Sequence, residues 1–600
     1  MPYAPIDRYG IIGDCETVSL VGIDGSIDFM CFPYFDSPSI FARLLDQQRG
    51  GSFELRPQLE GARHKQIYLP DTNVLFTRFL STEGVAEISD FMAIEDGAHR
   101  LVRRVKTVRG DVPFRMVCAP RMNYARDPHE VTLTRDGALF VSRASDKLAL
   151  RLRTIVPLQV QDGAAVADFV LRSGHSVTFV LEDATKGEHT ASANPYYTVE
   201  AFKATAEFWR RWVARSRYRG RWREIVNRSA LTLKLLTTRR HGSIVAAPTF
   251  GLPEEVGGER NWDYRYCWVR DGSFTLYGLM RLGYTDEAAA FMKWIEARCT
   301  ELNPDGSLQI MYGIDGRHAL PESALDHLEG YMGSRPVRIG NAAYPQMQLD
   351  IYGELMDSVY LYDKYGQPIS YDFWANLRRL VDWVCSHWRD RDEGIWEVRG
   401  GKQEFVFSRV MCWAALDRAI RLARKRAFPG PIDRWRETRD AILEDIFTHF
   451  WDDKRKTFVQ HRGATTTDAA MLLMPLIKFI SPQDPRWLST MAAIEKDLVD
   501  DSLVFRYRPQ EGAHDGLRGR EGTFCICSFW YAECLARSGD LDKSRYYFEK
   551  MLGYANHLGL YPEELGPAGE HLGNFPQAFT HIGLISAAYY LDRELSKRGG

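Results

Sequence analysis

The 600-residue sequence carries almost no net charge, with 77 Lys and Arg residues against 79 Asp and Glu residues. Nucleic acids and anionic membrane surfaces attract strongly basic proteins, so neither partner is expected. No apolar run approaches the roughly 20 residues that a membrane-spanning helix needs. Residues 1–7 also lack the basic and then apolar pattern of a signal peptide. The sequence therefore predicts a cytoplasmic protein with no nucleic-acid or membrane partner.

The ten cysteines have no repeating spacing, and no group of Cys and His residues has the spacing of a zinc site. Cys525 and Cys527 lie in an apolar segment, which suits buried free thiols. Aromatic residues make up 12% of the chain and include 15 Trp. That excess fits carbohydrate binding, although a large helical core would absorb it too. A chain of 600 residues is longer than one hydrophobic core usually serves, so we expect at least two domains.

Residues 1–195 show short alternating segments separated by turns. The segment 17–33 alternates around Gly22-Ile23-Asp24-Gly25, where Asp-Gly is a strong hairpin signal. Short strands with regular turns predict an N-terminal β-sandwich domain over residues 1–195. Near Pro195 the hydrophobic period changes from two to 3.6, and residues 196–222 are predicted to be a helical linker.

From residue 223 to residue 600 nearly every periodic segment is helical. The predicted helices are 223–239, 271–283, 285–299, 341–366, 370–388, 404–425, 431–450, 466–479, 483–499, 521–537, 540–553 and 575–597. Short connections alternate with six long ones, and short loops join antiparallel neighbours. Six helix pairs with all long loops at one end predict an (α/α)6 barrel, so the fold class is a β-sandwich followed by an (α/α)6 barrel. No repeat of 30–50 residues is evident, which disfavours an open solenoid.

Residues 261–272 combine two Trp, two Tyr, two Arg and two Asp directly before a helical pattern. Aromatic rings beside fixed charges suit a ligand that is polar at its edges and apolar on its faces, and sugars are such ligands. Asp271 is also placed to cap the helix, since its carboxylate accepts hydrogen bonds from exposed backbone N–H groups. The alternative for this stretch is a helix start with surface aromatics and an Arg–Asp pair.

Two glutamates in the long loops stand out. Glu397 follows an Ile and Trp396 between two glycines, and a carboxyl held against an indole loses solvation, which raises its pKa. A general acid needs that shift. Glu570 lies between Gly569 and His571 with little to shield it from water, so it stays ionised as a base must. The alternative is that Glu397 is an ordinary surface carboxylate and that Glu570, like Glu563 and Glu564, belongs to a solvated loop.

Three motifs resemble glycoside hydrolase family 15, which contains the glucoamylases, bacterial trehalases and related exo-glucosidases. They are residues 262–271 (Trp-Asp-Tyr-Arg-Tyr-Cys-Trp-Val-Arg-Asp), residues 394–397 (Gly-Ile-Trp-Glu) and residues 569–579 (Gly-Glu-His-Leu-Gly-Asn-Phe-Pro-Gln-Ala-Phe). The resemblance covers essentially the whole chain, including the N-terminal sandwich of the bacterial members. It implies that Glu397 is the general acid and Glu570 the general base.

The resemblance also implies the residues that bind the sugar. Arg270 and Asp271 match the pair that binds the non-reducing-end glucose. The other residues predicted to bind substrate are Trp262, Tyr264, Trp268, Arg338, Asn341, Trp396, Arg399 and Arg506, with Arg508 as the alternative to Arg506. Fungal glucoamylases follow the acid with a second acidic residue, whereas Val398 follows here. The stretch 336–343 is more similar to the trehalase-type branch.

By this resemblance the enzyme inverts the anomeric carbon in a single displacement and releases β-glucose. Glu397 protonates the glycosidic oxygen, and the base deprotonates a water on the opposite face of the sugar. That mechanism needs carboxyl groups roughly 6.5–9.5 Å apart. It requires no metal and no organic cofactor, so the only implied partner is a small carbohydrate. A homo-oligomer is left open.

The favoured hypothesis is an exo-acting hydrolase of α,α-trehalose. One alternative keeps the mechanism and changes the substrate to maltodextrins, isomaltose or dextran ends. Another is a phosphorylase on the same barrel, in which phosphate replaces the water. A third is a carbohydrate-binding protein that has lost catalysis, and the presence of both glutamates disfavours it.

Overall fold

The computed structural model describes residues 3–95, 97–144, 147–185, 187, 192, 194, 196–508 and 515–598. The N-terminal part consists mainly of sixteen strands. They are β1 (Tyr9–Gly13), β2 (Val18–Gly22), β3 (Ser26–Cys31), β4 (Ser39–Phe41), β5 (Ser52–Pro57), β6 (Arg63–Tyr68), β7 (Leu75–Leu80), β8 (Val85–Met92), β9 (Arg100–Arg109), β10 (Val112–Ala119), β11 (His129–Thr134), β12 (Gly137–Ser142), β13 (Ala149–Arg153), β14 (Gln159–Gln161), β15 (Ala164–Leu171) and β16 (Ser176–Asp183).

These strands form two antiparallel sheets of eight strands each. The first has the order β1-β2-β3-β5-β10-β15-β14 with β4 beside β3, and the second has the order β11-β12-β13-β16-β9-β8-β7-β6. Alternation along the strands explains the packing, since every second residue of β10 from Val112 to Cys118 is buried. Gly25 has φ +84° in the turn between β2 and β3, which the Asp-Gly signal predicted.

The chain then becomes helical. The helices are α1 (Met122–Ala125, a single turn within the sandwich), α2 (Tyr197–Ala214), α3 (Arg223–Leu235), α4 (Val269–Leu282), α5 (Thr285–Arg298), α6 (Ile351–Tyr365), α7 (Tyr371–His387), α8 (Val406–Arg426), α9 (Ile432–His449), α10 (Leu473–Leu476), α11 (Pro485–Leu498), α12 (Cys525–Ser538), α13 (Leu541–Leu552) and α14 (Ala578–Arg598). Helix α2 lies within the linker predicted at residues 196–222. The predicted boundary at residue 195 lies outside the described residues, so the domain boundaries stay predictions.

Six helical segments form a closed inner ring. Around the ring the order is α4, α6, α8, α10 with the 3-10 turn Ala469–Leu472 before it, α12 and α14, and α14 packs on α4 again. Helices α5, α7, α9, α11, α13 and α3 lie outside and each packs on a member of the inner ring or on that turn. The predicted (α/α)6 barrel is therefore confirmed, and the sandwich precedes it.

Two predicted helices differ from the structure, and proline explains both. The helix predicted at 341–366 begins at Ile351, because Pro345 has no N–H to donate and pushes the residue before it out of the helical region. The helix predicted at 466–479 is reduced to the 3-10 turn and the four residues of α10, which contain Pro475. Both shortened segments border the long loops.

Small ribbons stiffen the long loops between the helices. They are β17 (Phe250–Pro253), β18 (Asn261–Asp263), β19 (Cys267–Trp268), β20 (Met311–Tyr312), β21 (Ser323–Ala324), β22 (Arg338–Ile339), β23 (Trp451–Asp452), β24 (Thr457–Phe458), β25 (Val499–Asp500), β26 (Leu503–Val504), β27 (Thr523–Phe524), β28 (Glu564–Leu565) and β29 (His571–Leu572). The buried Arg265 joins them to the sandwich, donating to the Ser37 carbonyl at 2.7 Å and to the Tyr124 hydroxyl at 3.1 Å. None of the helices in the described ranges has the length and apolar character to cross a membrane.

Candidate active site

A pocket opens where the inner helices begin, at the end of the barrel that carries the long loops. It is lined by Ala246, Glu254, Arg260, Trp262, Tyr264, Trp268, Arg270, Asp271, Asn341, Ala343, Ile395, Trp396, Glu397, Val398, Arg399, Arg506, Tyr507, Asp515, Leu517, Phe524, Gln577 and Phe579. Ten of the twelve predicted site residues are in this set. The exceptions are Arg338 and Glu570.

Glu397 points into this pocket from a strained turn. Its φ of +58° lies in the left-handed region, which few residues other than glycine adopt, and its backbone N–H donates to the Gly394 carbonyl at 3.1 Å. The Trp268 indole N–H donates to Glu397 Oε1 at 2.7 Å. Arg270 lies 3.2 Å from the same oxygen. One carboxylate oxygen is therefore held by two donors.

Arg270 connects the start of α4 to the loop that carries Glu397. Its guanidinium lies 3.0 Å from Asp271 Oδ2 and donates to the Ile395 carbonyl at 2.7 Å. Burial opposes the charge on Arg270, but the carboxylates of Asp271 and Glu397 outweigh it and raise the pKa of Arg270. The predicted cap is wrong, because α4 begins at Val269 and the Asp271 carboxylate pairs with Arg270 inside the first turn.

The indole that contacts Glu397 belongs to Trp268, and not to its sequence neighbour Trp396. The Trp396 N–H donates to the two Asp468 carboxylate oxygens at 2.9 and 3.1 Å. Burial raises the pKa of Asp468 to about 6. Because Glu397 and Trp396 are adjacent in a tight turn, their side chains diverge, and the tertiary fold supplies a different ring to the acid.

Trp262 forms a second aromatic wall, with guanidinium groups over its ring. Arg399 lies 4.2 Å and Arg338 4.7 Å from the ring centroid, within the range of cation–π attraction. The Glu322 carboxylate forms ion pairs with both guanidinium groups, at 3.0 Å from Arg399 and 3.3 Å from Arg338. Arg399 lines the pocket, whereas Arg338 is not part of the lining and contacts the Trp262 ring. The Trp262 N–H donates to Glu254 Oε1 at 2.8 Å.

The structure does not bring Glu570 into the pocket, contrary to the prediction that it faces Glu397. Its side chain is exposed and folds back over its own loop, where Oε2 accepts the Ala568 N–H at 2.8 Å. A methyl group added at Gly566 would lie 2.2 Å from the Glu570 carboxyl carbon, which shows how closely the chain turns on itself. The carboxylate is satisfied within this turn.

Glu563, seven residues earlier, is buried where the sequence suggested a solvated loop. The Tyr264 hydroxyl donates to Glu563 Oε1 at 2.5 Å, and the Asn574 N–H donates to Oε2 at 3.2 Å. Tyr264 in turn packs edge-on against Trp268 at a centroid separation of 5.5 Å. Burial and the nearby Glu254 carboxylate raise the pKa of Glu563 to about 8, while the Tyr264 hydrogen bond lowers it. Glu397 and Glu563 therefore attach to two rings of one aromatic pair.

Arg506 is the arginine of its loop that reaches the pocket. It pairs with Glu521 and lies 3.4 Å from Glu254 Oε2. Arg508 instead donates to the main-chain oxygen of Asp497 at 3.1 Å. The choice between the two arginines, which the sequence left open, is decided by which guanidinium faces the carboxylates.

Three carboxylates beside Arg506 form a cluster. Single oxygens of Glu254, Glu521 and Glu564 lie within 4.8 Å of one another. Arg506 and Arg260 stand among them, with Arg260 3.7 Å from Glu254 and 3.5 Å from Glu521. The two guanidinium groups already supply the positive charge that a metal ion would bring.

Sequence reasoning missed several pocket residues. Glu254, Arg260, Tyr507 and Asp515 lie in long loops without a recognisable motif. Arg260 joins two of these loops, because it lies 2.6 Å from Asp515 Oδ2. Gln577 and Phe579 did carry a signal, since they belong to the third motif, and Ile395 belongs to the second.

Comparison with known proteins identifies the family and the fold. The model of the family Glycosyl hydrolases family 15 matches residues 220–589, and a model described as Trehalase-like, N-terminal matches residues 2–209. The chain is 38% identical to a trehalase of Mycolicibacterium smegmatis over 99% of this chain and 92% of that protein. It is 35% identical to a trehalase of Thermoplasma volcanium over 99% and 95%. The structure of a bacterial glucoamylase complexed with acarbose superposes with a TM-score of 0.75 at 12% identity, covering 100% of this chain and 96% of that one.

Replacing Arg506 with Gln should destabilise the fold by about 3–5 kcal/mol, the usual cost of leaving buried charges without their partner. Burial raises the folded-state pKa values of Glu254 and Glu564, and Arg506 lowers both. In Arg506→Gln both pKa values rise further. Carboxyl groups with a raised folded pKa stabilise the fold below their unfolded pKa and lose that contribution as pH rises through the folded pKa.

The stability deficit of Arg506→Gln should therefore be larger at pH 8 than at pH 5, as measured by urea unfolding at both values. Arg508→Gln is the matched control and should cost about 1 kcal/mol, because it removes one hydrogen bond to a main-chain oxygen. Equal deficits for the two variants, or a deficit for Arg506→Gln that shrinks with rising pH, would contradict this account of the cluster.

Proposed function

Because this chain belongs to glycosyl hydrolases family 15 and is therefore a glycoside hydrolase, we propose that it hydrolyses α,α-trehalose and releases glucose with inversion. The choice of trehalose is supported by relatives that are named trehalases and that match this chain nearly from end to end. The observation that carries the chemistry is that two carboxylates, Glu397 in the pocket lining and the buried Glu563, accept hydrogen bonds from the paired rings of Trp268 and Tyr264.

Glu397 acts as the general acid. It protonates the glycosidic oxygen as the bond between that oxygen and the anomeric carbon breaks. Trp268 and Arg270 both hold Oε1, so the other carboxyl oxygen is the one that carries the proton to the substrate. The left-handed backbone of Glu397 aims the side chain into the pocket, and a misaimed acid would lose the near-attack geometry on which catalysis depends.

Glu563 acts as the general base in place of Glu570. It takes a proton from a water molecule whose oxygen attacks the anomeric carbon on the face opposite the departing oxygen. A base works best when its pKa lies near the operating pH, and the pKa of Glu563 is raised to about 8 by burial and by Glu254. An inverting arrangement requires roughly 6.5–9.5 Å between the two carboxyl groups, enough for one water.

The sugar at the non-reducing end binds between charged and aromatic groups. Asp271 and Arg270 hydrogen-bond its outer hydroxyls, and charge-assisted bonds of this kind are about twice as strong as neutral ones. Trp262, with Arg399 over its ring, contacts the apolar face of a sugar. The rings of Trp396 and Phe579 close the floor, since each packs against Trp530 beneath, at 6.4 and 5.5 Å. A pocket closed at its floor favours exo action.

Hydrolysis of α-1,4 or α-1,6 glucosides is the second candidate, because the family also contains enzymes of the glucoamylase type. A phosphorylase is disfavoured by the proposed base Glu563, since its ionised carboxylate would repel a phosphate dianion that took the place of the water.

Purified enzyme incubated with trehalose, maltose, isomaltose and soluble starch should release glucose fastest from trehalose, without added phosphate. Proton NMR of the trehalose reaction should show equal amounts of β-glucose and α-glucose at first, because inversion turns the attacked half into β-glucose while the departing half keeps its α configuration. Faster turnover of maltose or isomaltose would show that trehalose is not the preferred substrate, and initial release of α-glucose alone from trehalose would refute inversion.

Glu397→Gln and Glu563→Gln should each lower kcat by at least about 10²-fold, the usual contribution of a general acid or base. Glu570→Gln is the matched control and should retain near-normal kcat, because its carboxylate is exposed and bonds only within its own turn. Circular dichroism checks that all three variants fold. A large loss in Glu570→Gln with near-normal activity in Glu563→Gln would reverse the assignment.

Tyr264→Phe should move the acidic limb of the kcat/KM profile to higher pH. The Tyr264 hydroxyl donates to Glu563 and lowers its pKa, so its removal raises the pKa of the base, and a higher pH is needed to ionise it. Tyr507→Phe is the control, because that pocket hydroxyl is bonded to Asp515 at 3.1 Å instead. If the acidic limb does not move in Tyr264→Phe, or moves equally in both variants, Glu563 is not the general base.

A further inference from the structure

A second cavity of about 730 Å³ lies at the other end of the barrel. The active-site pocket is lined by residues at the starts of inner helices, such as Arg270 on α4 and Gln577 just before α14. The second cavity is lined by residues near their ends, including Arg281 on α4, Lys364 on α6 and Arg537 on α12. Its volume is within the range of small-molecule sites, about 300–1,000 Å³.

The lining of this rear cavity is strongly basic. Eight of its residues are Arg or Lys and three are Asp or Glu, although the whole chain is nearly neutral. Two of the three carboxylates are already engaged, since Glu533 pairs with Arg537 at 2.5 Å and Asp357 with Arg418 at 2.6 Å. The third, Glu354, is buried on the side toward the active site.

Four of the cations have no carboxylate within 4.0 Å in the part of the chain that the structure describes. They are Arg217, Arg281, Lys364 and Lys478. Arg281 donates only to the hydroxyl and carbonyl of Ser586, at 3.1 and 3.5 Å. Burial lowers the pKa of Arg281 to about 10, with Glu533 acting in the opposite direction and Arg537 adding to the effect of burial. An anion beside Arg281 would relieve this unfavourable burial of charge.

Interaction with helix dipoles explains some of the basic side chains of the rear cavity, but not all of them. The carboxyl ends of inner helices carry partial negative charge, which Arg281, Lys364 and Arg537 in the last turns offset. Arg217 and Lys478 lie outside the helices. Arg217 is held beside the cavity by its backbone N–H, which donates to the Leu282 carbonyl at the end of α4 at 2.7 Å. Cations beyond the helix ends are not needed to balance the dipoles.

Aromatic rings accompany the cations. The Arg281 guanidinium lies 4.0 Å from the centroid of the Tyr277 ring and 5.3 Å from that of Tyr589. Arg537 and Arg593 lie over Tyr590 at 4.1 and 4.4 Å. Stacking of this kind holds guanidinium groups in fixed planes, and fixed guanidinium groups suit the bidentate geometry of phosphate.

A layer of four rings separates the rear cavity from the active-site pocket. Phe274 and Trp530 line the cavity, whereas Phe579 and Trp396 line the pocket. Phe274 and Phe579 are 5.4 Å apart, so the two spaces share a wall and do not share residues.

We propose that the rear cavity is a binding site for a small phosphorylated anion, in which Arg281 and the unpaired Arg217 and Lys478 contact the phosphoryl oxygens. The volume of the cavity exceeds that of a bare ion and admits an organic group as well. This site is separate from the proposed function and does not depend on it, because its occupancy is measured without turnover.

The test is isothermal titration calorimetry on the full chain with ATP, glucose 6-phosphate and inorganic phosphate, and with glucose as the neutral control. At least one phosphorylated ligand should bind with a stoichiometry of one, and glucose should not reproduce its binding. Equal affinity for inorganic phosphate would identify the free anion as the ligand, and preference for ATP or glucose 6-phosphate would identify the organic group as part of it.

The double variant Arg217→Gln/Lys478→Gln should weaken that binding by about tenfold or more, since each cation makes a charge-assisted contact. Both side chains are exposed, so the fold should be kept. The matched control is Arg211→Gln/Lys456→Gln, two exposed cations away from the cavity, one of which, like Lys478, has a positive φ. Arg281→Gln, checked for folding, should weaken binding further.

Binding of none of the three anions up to millimolar concentration would overturn the proposal. So would an unchanged affinity in Arg217→Gln/Lys478→Gln, or an equal loss in the control variant, which would show that only the overall charge matters.

Discussion

The site depends on one guanidinium that is largely, though not fully, buried. Arg270 contacts Asp271 on its own helix, the Ile395 carbonyl on a distant loop and Glu397 at once. A buried charge is tolerated only when it is fully paired, so this arginine fixes the start of α4 and the acid-bearing turn in one arrangement. The strained φ of Glu397 persists because these bonds and the Trp268 indole hold the side chain. The geometry of the acid is thus a consequence of charge pairing across 127 residues of chain.

Charge pairing also explains the other side of the pocket. Glu254, Glu521 and Glu564 would repel one another strongly in a buried space, and Arg260 and Arg506 make their proximity tolerable. Glu563 lies at the margin of this group, where its charge is opposed by burial and by Glu254. The raised pKa of the proposed base Glu563 therefore depends on the same network of charged groups that connects the long loops. The rear cavity shows the opposite arrangement, because there the cations outnumber the carboxylates.

Much of the architecture could be predicted from local patterns. The hairpin at Gly25, the change of period near residue 195 and the alternation of short and long connections predicted a sandwich followed by a barrel of helix pairs. The failures at 341–350 and 466–479 arose where Pro345 and Pro475 interrupted a periodic segment. Motifs likewise pointed to Trp268, Arg270, Asp271 and Glu397 as pocket residues, because each lies within a contiguous run of characteristic residues.

The sequence by itself determined the fold class, the family and one of the two proposed catalytic carboxylates, since those follow from periodicity and from contiguous motifs. Only the tertiary structure decided that Glu563 and Glu564 are buried and Glu570 is exposed, which indole faces Glu397 and which arginine of 506 and 508 reaches the pocket. The physical reason is that solvation and pairing of a side chain depend on groups far away in the chain. Glu570 stands in the more suggestive motif, yet its side chain is exposed. Tyr264, 299 residues before Glu563, donates the hydrogen bond that Glu563 accepts.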